Sequence, residues 1–420
     1  MRNSTFAVAT PLVIPFVIAQ LIQLIACGDA VTSRSSTAAA DGPLLGGSSS
    51  SGGAGSGLPD VAGTSGVSPS PSPTQTQEGS AIPIGGLDIS GVTDEGAAGS
   101  ASTPTAPNAA ADAGGGEPPA PEGCGVEPVT PNATQETRNV LCYLHSIYGN
   151  RILSGQEENN DDNAANYIQQ TTGKYPAIRA FDINNGRAAA QCVDHWRQGG
   201  LCMFGYHMGL VGGDGYQGSQ TATDVNQVIT EGSALNQTFK ARLDRTAAAL
   251  QTVQDAGGVA ILRLFHEAGD GCGWFWWGAD PDRFVRLWRY TFNYMTATKG
   301  LRNIIWLVPL CGSPTPAFNP GKEFTDLGGA DSYVGDGNYD ALNGLFNRTV
   351  AAFPDMPIAL HECGPIPDPA ALQATATKWL MFNVWTDNFP RPPSNSVEHL
   401  NAVYNSEYVL TRDELPAFTP

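Results

Sequence analysis

The sequence predicts an α/β chain: a (β/α)8 (TIM) barrel preceded by a long disordered N-terminal linker. Three observations carry this. Of the 36 aromatic residues, 34 lie after residue 122, the others being Phe6 and Phe16. The 298 residues from Gly123 onward suffice for one sizeable buried core. Within them, short apolar runs alternate with longer helix-like stretches about eight times.

At the N-terminus, Arg2 precedes a mostly apolar run from Phe6 to Ala26, broken by Pro11 and Pro15 and ending in small residues. This pattern is that of an export signal rather than a membrane span. Leu24-Ile25-Ala26-Cys27 resembles a bacterial lipoprotein box, which makes residues 1–26 a signal peptide and Cys27 the lipid-modified first residue of the mature chain. An ordinary secretory peptide is the alternative. Residues 27–122 are rich in Ser, Gly, Ala, Pro and Thr and contain no aromatic residue. Such a segment cannot bury a core of its own and behaves as a tether; a mucin-like stalk has the same composition. The expected location is therefore the bacterial cell envelope, with the membrane as a partner through Cys27.

Residues 123–420 form the predicted folded domain. Strand candidates are Ile152–Gln156, Ala177–Ile183, Leu201–His207, Val259–Glu267, Asn303–Leu310, Leu327–Tyr333, Pro357–Cys363 and Met381–Trp385. Runs such as VAILRLF and NIIWLV are continuously apolar, as in strands buried on both faces. Helical candidates lie between them, including Asp224–Ala256, Asp280–Lys299 and Ala341–Phe353. Periodicity alone leaves a doubly wound open sheet as the runner-up, although no G-x-G-x-x-G follows an early strand. In an exported chain the seven cysteines after Cys27 favour disulfides; the local pairs are Cys124 with Cys142 and Cys192 with Cys202, and at least one cysteine must be free.

The formal charge of −18 and the lack of any basic run exclude a polyanion partner such as nucleic acid. In a barrel of this kind the reactive groups sit at the C-terminal strand ends. Four candidates end in polar groups there: His207, His266-Glu267, Tyr333 and His361-Glu362. A carboxylate closing a buried strand is costly unless it is paired or used, and two of them constitute the minimum apparatus for glycoside hydrolysis. Immediately after Glu267 comes Trp274-Phe275-Trp276-Trp277, of which Trp274 is expected to face a sugar while Phe275 and Trp276 pack against the wall. His361 is read as a core histidine. H-E-x-x-H is absent and the six histidines show no zinc spacing, so neither metal nor organic cofactor is expected.

Arg263-Leu264-Phe265-His266-Glu267 with Trp274-Phe275-Trp276-Trp277-Gly278 resembles the signature of glycoside hydrolase family 26, mostly retaining endo-β-1,4-mannanases. The likeness extends to Leu153-Ser154-Gly155-Gln156, Asn303 to Trp306, Asp331-Ser332-Tyr333, Pro357 to Gly364 and Asn383-Val384-Trp385, covering about residues 135–410. It implies Glu267 as acid/base and Glu362 as nucleophile. It implies a hydrogen bond from His266 near that nucleophile, and Tyr333 as a donor to it. It places His207, Trp274 and Trp385 against sugar. The implied protein is a monomeric β-mannan hydrolase. Alternatives are hydrolysis of another β-glycan (mixed-linkage glucan or β-1,3-xylan) and a non-catalytic surface glycan-binding protein. The departures are a loop from Ala268 to Gly273 about two residues longer than usual, Tyr206 where tryptophan is common, and a Gly-rich stretch from Gly209 to Gly218. Cys272 in the long loop is expected to pair with Cys311 or Cys363.

Overall fold

Apolar residues on successive strands alternate between two faces, and the two faces build two cores. The computed structural model describes residues 124–159 and 161–418; the expected export signal, Cys27 and the expected tether lie outside them. Among the described residues ten strands occur in the order β1 (Ile152–Leu153), β2 (Gly155–Glu158), β3 (Ile178–Asp182), β4 (Leu201–Gly205), β5 (Ala260–Leu262), β6 (Ile304–Leu310), β7 (Leu327–Ser332), β8 (Ile358–Cys363), β9 (Phe382–Val384) and β10 (Val409–Leu410). The eight strands β2 to β9 form a closed, wholly parallel barrel, so the open-sheet alternative does not hold. Closure is made at Gln156, which pairs with Val384 and whose Nε2 donates to the Val384 carbonyl at 3.1 Å.

Inside the barrel, Ile178, Ala180, Met203, Ile261, Ile305, Leu307 and Ala359 meet one another. The helix Gln135–Ile147 adds Val140, Leu141 and Leu144 to the same cluster, closing the end of the barrel from which the strands start. The opposite parity (Phe181, Phe204, Leu262, Trp306 and Leu360) packs outward against Leu243, Leu250, Leu287 and Trp288 of the surrounding helices.

Several expected elements are divided. The run Ile152–Gln156 splits: β1 pairs with β10 outside the barrel, and only β2 enters it. The helix expected over Asp224–Ala256 becomes Val225–Val228 and Ala234–Asp255, because Ser233 caps a fresh N-terminus by accepting from Asn236 N. The longest expected strand, Val259–Glu267, is a strand only over Ala260–Leu262.

Candidate active site

The last sheet bond on that short strand runs from Arg263 N to the Phe204 carbonyl at 2.8 Å. Beyond it the chain turns off the barrel through Phe265 (φ 57°) and Glu267 (φ 58°), both in the left-handed region that non-glycine residues rarely occupy. The segment that follows is pinned to the end of β6. Ala268 and Asp270 bridge to Leu310 and Ser313, and Cys272 is disulfide-bonded to Cys311. The aromatic run then divides its labour. Phe275, Trp276 and Trp277 are buried; Trp276 Nε1 donates to the Met208 carbonyl at 2.7 Å and Trp277 Nε1 to the His266 carbonyl at 2.8 Å. Trp274 is half-buried, and its Nε1 donates to Glu267 Oε2 at 2.5 Å.

Glu362 lies on β8, where the pairing register with β9 shifts between Leu360 and Cys363. Its two oxygens are held from two sides. Tyr333 donates its hydroxyl to Oε1, and Arg263 Nη1 donates to Oε2 at 2.6 Å. Gly205 makes room for this guanidinium, because a Cβ there would stand 3.3 Å from Arg263 Nη2. His361 is a satisfied interior histidine, Nε2 bonding the Leu310 carbonyl at 3.0 Å and Nδ1 facing Arg263 at 3.2 Å.

Glu267, Asp331 and Glu362 bring carboxyl oxygens within 4.8 Å of one another, all three side chains being buried. Burial first, and the Glu362 charge second, push the Glu267 carboxyl up to about 7, while hydrogen bonds from Asp331 and Trp274 pull the other way. A carboxyl in that state holds a proton at near-neutral pH and can give it up. Among the described residues this trio is the group whose oxygens lie close enough to hold a metal ion. Trp274, Tyr333 and Arg263 already take up oxygens of the two glutamates, so the trio reads as paired reactive carboxyls.

A second pair of charges sits beside it. Asp182 Oδ2 accepts from His207 N at 3.0 Å and bonds His207 Nδ1 at 2.6 Å. Burial opposes the charged form of each partner, yet their mutual bond and charge prevail, holding Asp182 low and His207 high. His207 Nε2 then faces His266 Nε2 at 3.2 Å. Burial, with Arg263 and His207 nearby, holds His266 well below the usual histidine range, so His266 is the neutral partner in this contact. The sequence reading put the His266 bond near the nucleophile; it runs to His207 instead, and the positions around Glu362 are filled by Arg263 and Tyr333. Trp385 is buried with its ring edge-on to His207, centroids 6.0 Å apart.

The model of glycosyl hydrolase family 26 matches residues 129–414, which takes in the whole barrel. The chain belongs to that family. A mannan endo-1,4-β-mannosidase of Thermothelomyces thermophilus is 32% identical over 310 residues, covering 68% of this chain and 62% of that protein. This chain therefore spans about six tenths of that relative. A crystal structure of a Podospora anserina GH26-CBM35 β-(1,4)-mannanase superposes with a TM-score of 0.63 at 32% identity, over 70% of this chain and 69% of that one. A β-mannanase from a symbiotic protist of the termite Reticulitermes speratus, complexed with gluco-manno-oligosaccharide, gives 0.63 at 25% identity, over 69% and 98%.

In this family-26 barrel Cys124–Cys142 and Cys192–Cys202 are the local pairs expected. The long loop resolves to Cys272–Cys311, leaving Cys363 free and buried beside Glu362. The Gly-rich stretch from Gly209 to Gly218 is organised by Asp214, which accepts from Tyr206 Oη at 2.7 Å, Arg245 Nη1 at 2.6 Å and Gly209 N at 3.0 Å. It brings Tyr216 edge-on to His207 and Phe275 at 5.4 and 5.9 Å. Sequence reasoning assigned no role to Arg263, Asp182, Asp331 or Tyr216. Arg263 did carry a signal: a cation inside the apolar run VAILRLF must find an anion in the interior.

Proposed function

We propose that the chain is a retaining, endo-acting hydrolase of β-1,4-mannans, including glucomannan and galactomannan. The observation that carries this reading is the pairing of Glu267, pushed toward neutral pH, with Glu362, whose carboxyl oxygens lie within 4.8 Å of it. That closeness supports double displacement, in which carboxyl groups stand about 5–5.5 Å apart, over inversion, which needs them roughly 6.5–9.5 Å apart. The substrate class rests on the mannanases to which the chain is similar.

Glu362 attacks the anomeric carbon while protonated Glu267 gives its proton to the departing glycosidic oxygen. Arg263 and Tyr333 fix the attacking carboxylate, and Trp274 aims the acid. A glycosyl ester on Glu362 results. Glu267, now ionised, takes a proton from water, which opens the ester with net retention. The His207–Asp182 pair and the Trp385 face flank the place where the reacting sugar sits.

The test is the anomer released first, read by NMR on manno-oligosaccharide: β-product is expected, and α-product refutes retention. Rates on galactomannan, glucomannan, lichenan and xylan fix the substrate, and activity confined to the last two refutes mannan. Glu267→Gln is expected to lose roughly 10²–10⁴-fold, and Glu362→Gln at least as much, without loss of fold. The proposal extends to placement: Cys27 carries lipid, and residues 27–122 hold the enzyme off a bacterial envelope membrane. Failure of Cys27→Ala to abolish radiolabelled palmitate incorporation and membrane retention in the native host refutes it.

A further inference from the structure

Arg263 faces a second anion. Beneath Glu362, inside the barrel, Glu157 of β2 is buried at 2% exposure, with Oε2 3.6 Å from Arg263 Nη2 and 3.2 Å from Asn383 Nδ2. The guanidinium thus lies between two carboxyls: Nη1 on Glu362 at 2.6 Å and Nη2 toward Glu157. His361 and His266 beside it are both held neutral, chiefly by burial and then by the charge of Arg263 itself. The groups that act on Glu157 are Arg263, Glu362, Asp182 of β3 and Asn383 of β9. One cation therefore serves two carboxyls, one on each side of it.

We infer that Glu157 is a positioning residue of the reaction, a protonatable counter-anion that shares Arg263 with the nucleophile and sets how much of its charge Glu362 bears. The inference rests on Glu362 being the nucleophile. With Glu157 ionised, Arg263 divides its attraction, and Glu362 keeps more of its own charge for attack. With Glu157 protonated, Arg263 belongs to Glu362 alone, and the attacking oxygen is more fully neutralised. Burial, against the opposing pull of Arg263, pushes Glu157 up to about 7, so the exchange falls near neutral pH.

The test is the ratio of wild-type to Glu157→Gln kcat/KM on an aryl β-mannobioside from pH 5 to 9. The ionisation of Glu267 affects both enzymes and cancels in the ratio. The two are expected to differ least at pH 5, the wild type becoming about five- to tenfold faster by pH 8–9. Asn383→Ser removes a hydrogen bond that favours ionised Glu157, so the rise of activity that Glu157 confers shifts to higher pH. If Glu157→Gln does not fold, that shift decides the matter. A ratio constant with pH, whether near one or large, assigns Glu157 a merely structural place and overturns the inference. Loss of the nucleophile assignment is recognised separately, by an active Glu362→Gln.

Discussion

Removing the indole N–H from Trp274 while keeping an aromatic ring, as in Trp274→Phe, isolates one hydrogen bond to the proton-donating carboxyl. That bond is short, 2.5 Å from Nε1 to Glu267 Oε2. Hydrogen bonds to a charged group contribute about 1.5–3 kcal/mol, and one pKa unit corresponds to about 1.4 kcal/mol. Because Trp274 is half-buried, the lower end applies, or about one unit. The N–H stabilises ionised Glu267, so its loss favours the protonated form and carries the carboxyl from about 7 toward about 8. Glycosylation needs that protonated form, so the alkaline limb of kcat/KM moves up by about one pH unit. The plateau falls about tenfold because the carboxyl is no longer aimed. Initial rates on mannopentaose across pH 5–10 measure both. An unmoved limb, or one displaced to lower pH, would refute the claim that Trp274 tunes the acid.

Tyr333→Phe removes a donor to Glu362 and keeps the ring packed edge-on to Phe389, so kcat/KM falls about 10–100-fold with little change in thermal midpoint. A value within twofold of wild type contradicts the role given to the hydroxyl. Breaking the Cys272–Cys311 bond, which closes a 39-residue span, removes up to about 4 kcal/mol of stability on the loop-entropy estimate, read by urea denaturation of the paired Ser variant. The Cys272 loop also carries Trp274, so the same variant raises the alkaline limb, in the direction of Trp274→Phe. Gly278→Ala places a Cβ 2.9 Å from the Cys272 carbonyl and 3.2 Å from that of Glu267. It is expected to cost about 2 kcal/mol or more in a melting experiment and to lower kcat, because the backbone bearing the acid must shift.

The barrel was legible because its signal is coarse. Continuous apolar runs such as NIIWLV mark buried parallel strands, and β6 spans Ile304–Leu310 much as the run suggests. The two glutamates were legible for the opposite reason, since charge at the end of an apolar run is improbable without a use. What stayed hidden were partnerships between residues far apart in the chain. Asp182 and His207 stand 25 positions apart in the chain, and Arg263 and Glu362 stand 99 apart. No local pattern links such pairs. The His266 bond was misplaced for the same reason, because the nitrogen facing it belongs to His207, which follows a different strand.

The extent of β5 was also misread, and the error locates the chemistry. Nine residues, Val259–Glu267, look like one strand, yet three form it. The remainder is bent away by left-handed Phe265 and Glu267, a conformation that costs of order 1–3 kcal/mol per residue. A straight strand would alternate its side chains between the barrel interior and the helix layer. Arg263 would still point inward, but Glu267 would be carried along the strand axis, away from Trp274. The other irregularity is one extra residue in β8, which shifts its register against β7 at Ala330/Asp331 and against β9 between Leu360 and Cys363. It falls beside Glu362 and resets which residues of β7 and β8 stand opposite each other, Asp331 coming to pair with Glu362. Regular strands thus build the support, and the two departures from regularity, neither visible in hydrophobic periodicity, converge its acids on one point.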